Sequence, residues 1–99
     1  DTHARALAEG VRLHGCTVHF VVPELDAGPA VIQAAVPVMP DDTPESLAAR
    51  VLTQEHRIYP AALALVASGA VTLGADGRIA GLPQAQADGA VLVNPPVGR

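Results

Sequence analysis

Apolar positions follow two different rhythms along this chain, and each predicts its own kind of element. Residues 16–22 (CTVHFVV) alternate on a β-branched and aromatic background. They predict a strand with Cys16, Val18, Phe20 and Val22 on one face and Thr17, His19 and Val21 on the other. Residues 30–38 run nearly unbroken in Val, Ile and Ala and predict a second strand. Pro37 has no N–H to give a ladder, so it belongs at an edge or a strand end. Between the two, Pro23 to Pro29 (PELDAGP) reads as a loop with Asp26 at its turn.

From Thr43 the rhythm becomes helical. Thr43-Pro44-Glu45 is a start signal: a hydroxyl N-cap, Pro at the first helical position and an acid in the first turn. The helix is expected to run to about Ser68, with Gly69 as its stop. Leu47, Val51, Ile58, Ala62, Leu65 and Val66 define one apolar arc, and Ser46, Arg50, Thr53 and Arg57 the opposite one. Pro60 falls inside this span and is expected to kink the helix or split it in two. Residues 2–8 predict a short helix, with Gly10 and Gly15 bracketing a loop after it. Residues 70–73 and 78–80 predict a small hairpin across the turn 74–77. The tail, 82–99, is rich in Gly, Pro and Ala; its run 90–93 (AVLV) is a candidate for one more strand. One long helix covers only one face of two short strands. That leaves free edges and apolar surface, which points to a piece of a larger sheet or to a homo-oligomer.

Composition narrows the picture. At 99 residues the chain makes one small domain, able to bury about 65% of its unfolded surface. Its core must be aliphatic: 49% of residues are hydrophobic, but Phe20 and Tyr59 are the only aromatics of their kinds and there is no Trp. The net charge of −4 carries no basic cluster, which argues against a nucleic-acid partner. No stretch suits a membrane span or a secretory signal, so no membrane partner is expected. A single Cys excludes an internal disulfide and any Cys-based metal motif, and no His pair has ligand spacing, so no metal is expected. The same cysteine usage fits a reducing cytoplasm.

Three residues stand out as candidates for chemistry. Glu55 projects between Ala62 and Val66, within the apolar arc of the long helix. A carboxylate there must be paired, hydrogen-bonded or aimed at a cleft; a structural salt bridge or an edge position reaching water meets the same need. Asp26 lies in a loop between strands, where active-site groups concentrate, although Asp also suits turns for local reasons. His19 suits a proton carrier or ligand on a strand, or a packed, hydrogen-bonded histidine. His14 and His56 read as solvent-facing, and Cys16 as core. No Gly-rich phosphate loop follows a strand.

These residues also carry a resemblance. The run His14-Gly15-Cys16-Thr17-Val18-His19-Phe20-Val21, followed by Glu24-Leu25-Asp26-Ala27-Gly28-Pro29, resembles the phosphoribosylglycinamide formyltransferase family. The likeness continues through Ile32-Gln33-Ala34, Val36-Pro37-Val38, Asp42-Thr43, Arg50-Val51, Gln54-Glu55-His56 and Ile58-Tyr59-Pro60, and into the hairpin from Gly69 to Ile79. It spans roughly residues 1–80. The resemblance implies the C-terminal half of a Rossmann-like α/β formyltransferase fold, over residues 1–81, with 82–99 as a tail. It implies formyl transfer from 10-formyltetrahydrofolate, a cosubstrate, to the amine of glycinamide ribonucleotide in purine biosynthesis. The partner it implies is the N-terminal half of the same enzyme, which carries the family's phosphate loop and Asn-x-His pair; without them the chain alone is expected to be inactive. By residue, Asp26 matches the catalytic aspartate and His19 a supporting histidine beside the active centre. Val22, Pro23, Glu24, Leu25 and Asp26 match the loop whose backbone recognises the pterin. Glu55 matches the acceptor for the ribose hydroxyls. One departure is that the family usually has polar residues where this chain has Val22-Pro23, and Pro23 offers no N–H.

Three other readings compete. A formyltetrahydrofolate hydrolase has a similar strand and loop but needs no ribose acceptor, so Gln54-Glu55-His56 and Tyr59-Pro60 argue against it. Methionyl-tRNA formyltransferase differs in its loop motif and needs an RNA surface. From another class altogether comes a non-catalytic fragment that associates with itself through exposed strands.

Overall fold

A computed structural model describes residues 1–21, 28–85 and 89–98. The order is α1 (Thr2–Glu9), β1 (Leu13–His19), β2 (Ala30–Pro37), α2 (Pro44–Ala67), β3 (Thr72–Leu73) and β4 (Ile79–Ala80). β1 and β2 form one antiparallel pair and β3 and β4 another.

The first strand lies three residues earlier than its sequence rhythm predicts, and pairing explains the offset. The ladder runs from Leu13 opposite Pro37 to Val18 opposite Ile32. It therefore takes in Gly15, which the sequence reading assigned to a loop. Glycine fits because a Cβ there would collide with the carbonyl oxygen of Ala34. At the other end Phe20 still donates its N–H to Pro29 O at 3.0 Å. Pro29 cannot donate back, so the ladder stops. Just before that stop the register shifts: Val18 faces Ile32 but His19 faces Ala30, leaving Val31 as an extra residue on β2. Val31 is buried although it is out of phase with buried Val36.

Helix α2 packs across this pair. Thr43 and Ser46 close a reciprocal cap: Ser46 N–H donates to Thr43 Oγ1 at 3.1 Å, and Thr43 N–H donates to Ser46 Oγ at 2.9 Å. The helix buries Leu47, Val51, Ile58 and Ala62, as its rhythm predicts. Leu65 is half-buried and Val66 exposed, because the short sheet does not reach beneath the last turns. Pro60 does not split the helix. The acceptor it leaves without a partner is the carbonyl of His56; both residues are exposed, so water can serve it. Gly69, at φ 80°, ends the segment beyond the Ser68 cap.

The main core joins Ala6, Val36, Val38, Leu47 and Val51, with Leu7, Val11 and Cys16 packed against it. The small hairpin pairs Thr72 with Ala80 and Leu73 with Ile79 around the expected turn, where Gly77 takes φ 80°. Residues 90–93 form no strand; Val91 and Val93 are exposed. The tail is tied down one residue later, where Asn94 Nδ2 donates to Arg12 O and Val38 O, each at 2.8 Å.

Candidate functional site

Of the residues singled out by sequence, His19 and Glu55 are described, one at the end of the β1–β2 pair and the other in the middle of α2. His19 is the last residue of β1. Its Nδ1 lies 2.8 Å from Gly28 O; a carbonyl only accepts, so Nδ1 carries the proton. Together with Val18, Phe20, Val21 and Val31, and with Tyr59, Pro60, Ala62, Leu63 and Val66 of α2, His19 lines an open cleft of about 480 Å³. The sequence reading put His19 on the face away from Val18 and Phe20. At this end of the strand one cleft is nonetheless lined by all three. The cleft is strongly apolar and unusually bare: Val21 is 90% exposed, Leu63 69% and Tyr59 56%.

Glu55 lies on α2 and is half-buried. Among the described residues it makes no hydrogen bond and no ion pair. It faces β1: the Cys16 thiol is pushed up from its ordinary value by burial first and by the negative charge of Glu55 second. The salt bridge that sequence left open for Glu55 is thus not made within the described residues. Its neighbour His56 is exposed, as expected. Cys16 is half-buried against the core.

Asp26 and the rest of the pterin-loop set, Val22, Pro23, Glu24 and Leu25, lie outside the described residues. The two ends that bracket them, Phe20 and Pro29, are joined by the 3.0 Å backbone bond.

Two features escaped sequence reasoning. His14 is not solvent-facing: it is half-buried, with Nε2 3.3 Å from His3 Nδ1 and the two rings edge to face. Asp42 is a hub. Arg50 grips its carboxylate with both guanidinium nitrogens, at 2.8 and 3.0 Å, and also donates to Pro37 O at 3.0 Å. Met39 N–H and Ser46 O–H add bonds of 2.8 and 2.7 Å. Arg50, the N–H of Met39 and Ser46, in that order, hold the Asp42 carboxyl far below the usual carboxylate range. Its acid-plus-basic spacing at the helix start was the available signal. This hub braces the turn into α2 and lies away from the cleft. Among the described residues no cluster of three or more His, Cys, Asp or Glu is arranged to hold a metal, and no helix is long and apolar enough to cross a membrane.

A two-stranded piece of sheet under one long capped helix, with a histidine at the strand end and a carboxylate on the helix that is unpaired among the described residues, is a portion of a Rossmann-like α/β formyltransferase fold, as the solved relatives show. The formyl transferase family profile matches residues 1–63, and the chain belongs to that family. Its relatives include the phosphoribosylglycinamide formyltransferase of Escherichia coli, 50% identical over 68 residues, covering 69% of this chain and 32% of that protein. The trifunctional purine biosynthetic protein adenosine-3 of Bos taurus is 54% identical over 79 residues, covering 80% of this chain and 8% of its own length. Among solved structures, the phosphoribosylglycinamide formyltransferase of Anaplasma phagocytophilum matches with a TM-score of 0.73 and 44% identity, over 85% of this chain and 41% of that one. The Brucella melitensis enzyme matches with a TM-score of 0.61 and 56% identity, over 72% and 36%. The chain thus spans about a third of the bacterial relatives' length.

Proposed function

We propose that this chain supplies part of a folate-dependent formyl-transfer site, with 10-formyltetrahydrofolate as donor and the amine of glycinamide ribonucleotide as acceptor. The observation that carries this reading is Glu55. A half-buried carboxylate with no partner among the described residues is available to accept hydrogen bonds from a pair of neighbouring hydroxyls, such as those of a ribose. It stands in the segment Gln54-Glu55-His56, which carries the resemblance to enzymes that act on a ribonucleotide.

In this reading the amine nitrogen attacks the formyl carbon, forming the new C–N bond. The tetrahedral intermediate collapses by breaking the bond from that carbon to N10 of the folate. A proton leaves the amine and reaches N10 through water organised by the Asp26 carboxylate. Backbone groups of 22–26 hold the pterin, without an N–H from Pro23. The oxyanion needs donors, and the chain's single Asn, Asn94, is followed by two prolines rather than by an Asn-x-His arrangement. Those donors and the phosphate grip come from the remainder of the formyltransferase domain, whose apolar side chains cover the cleft at Val21, Tyr59 and Leu63. The chain alone is therefore inactive. Cytoplasmic location and a homo-oligomeric assembly complete the proposal, with the formyltransferase portion ending near residue 81 and 82–99 as its tail.

Glu55→Gln in a formyltransferase that contains this chain tests the reading. Loss of one charged acceptor raises the KM for the ribonucleotide about tenfold or more, while the KM for the formyl donor stays near its starting value. An unchanged KM for the ribonucleotide removes Glu55 from the site and leaves the assignment of the acceptor without support.

A further inference from the structure

The apolar cleft, the His3–His14 pair, the Asn94 tie and the neck of the 20–29 connection are the features that the fold alone does not explain. The neck carries an argument furthest. Two bonds close it. One is the backbone bond from Phe20 N–H to Pro29 O at 3.0 Å, and the other is the side-chain bond between His19 Nδ1 and Gly28 O at 2.8 Å. No further ladder bond is available here, because Pro29 has no N–H to return. His19 stands at the register shift, opposite Ala30 and next to the point where the ladder ends; such irregularities are found where pairing terminates. The imidazole thus does the work of a missing rung.

We propose that His19 is a positioning residue: its Nδ1–H, bonded to the Gly28 carbonyl, fixes the outgoing end of the connection that carries Asp26. The proposal rests on the formyl-transfer reading above for its functional consequence, but the bond itself is independent of it. His19 acts here through one nitrogen only. Nε2 needs neither to bind substrate nor to move a proton. A residue that offers an N–H donor from the position of Nδ1 can replace it, and a residue that offers one from the position of Nε2 cannot. Asn and Gln make that distinction, since the Asn amide nitrogen reaches where Nδ1 lies and the Gln amide reaches where Nε2 lies.

Two measurements test this. Long-range ¹H–¹⁵N correlation spectra of the chain report which ring nitrogen of neutral His19 carries the proton. Protonated Nδ1 is expected, and an Nε2–H tautomer overturns the proposal whatever the enzyme does. The second compares His19→Asn and His19→Gln in a formyltransferase that contains this chain. Misplacing a catalytic group by about an ångström costs about a hundredfold in rate. His19→Gln is therefore expected to lower kcat toward that extent, with KM for both substrates little changed, and His19→Asn to restore kcat to within about threefold. The reverse order, with His19→Gln near wild type and His19→Asn impaired, assigns the role to Nε2 and overturns the proposal, as do equal losses in both variants or two variants with wild-type kcat. If the unmutated enzyme transfers no formyl group at all, the formyl-transfer reading falls while the tautomer still decides the bond.

Discussion

The two ends of the β1–β2 pair are built in opposite ways. At the Leu13–Pro37 end almost every group has a partner. Leu47 is fully buried there against Val36, Val38 and Ala6. Arg50 and Asp42 brace the turn into α2, and Asn94 donates to the carbonyls of Arg12 and Val38 just past the ladder. At the His19–Ala30 end the register slips, the ladder stops at a proline, and Val21, Tyr59 and Leu63 stand bare over an apolar cleft. Glu55 lies between the two ends, half-buried and without a partner among the described residues. Stability is concentrated where the chain satisfies itself; in the proposed function, recognition falls where it does not. An end that exposes this much apolar surface is complete only when something else covers it.

Three substitutions sharpen or break the contrast, in decreasing order of effect. Leu47→Ala removes a fully buried side chain from the closed end and is expected to cost about 3 kcal/mol of unfolding free energy by denaturant titration. A cost below about 1 kcal/mol, small for a truncated core leucine, contradicts the placement of the core. Asp42→Asn tests the hub by its pH dependence. The folded carboxyl is held below its ordinary value of 3.8, so its contribution to stability is present above that value and is lost as pH falls below it. The variant is expected to melt lower than the parent at neutral pH, with the gap closing as pH drops below about 4. A gap that persists at the acid end shows that charge is not what the hub uses. Leu63→Ser, at the open end, removes a side chain that is 69% exposed. It is expected to change the stability of this chain by less than about 0.5 kcal/mol, while weakening its association with the rest of a formyltransferase domain. A large loss of stability in the isolated chain erases the distinction between the ends.

Sequence reading served the closed end better than the open one. The capped start of α2, its buried Leu47, Val51, Ile58 and Ala62, and the turn of the small hairpin all follow local rules, and the structure has them. The extent of β1 depends on a partner strand instead of on its own composition, so local rhythm puts Gly15 in a loop and starts the ladder three residues late. The slip at Val18/His19 leaves no mark in the alternation of CTVHFVV, because its extra residue, Val31, lies on β2; the bond from His19 to Gly28 is equally non-local. His14 looked like a surface residue because its partner His3 is eleven positions away on another element. The Asp42 hub and the tie from Asn94 are long-range in the same sense. For the site, motif resemblance rather than periodicity marked Asp26 and Glu55 as functional. What periodicity did establish was that Glu55 stood in an apolar arc, and the structure sharpens this into a carboxylate with no partner among the described residues.

The central claim is that the open end is part of a site completed by the rest of a formyltransferase domain. The most direct measurement is formyl transfer from 10-formyltetrahydrofolate to glycinamide ribonucleotide, by this chain alone and then by this chain combined with a separately produced remainder of the domain. The account predicts no transfer by the chain alone and transfer by the combination, abolished by Asp26→Asn. Transfer by the chain alone at an ordinary enzymatic rate, or none by a combination shown to associate, contradicts it.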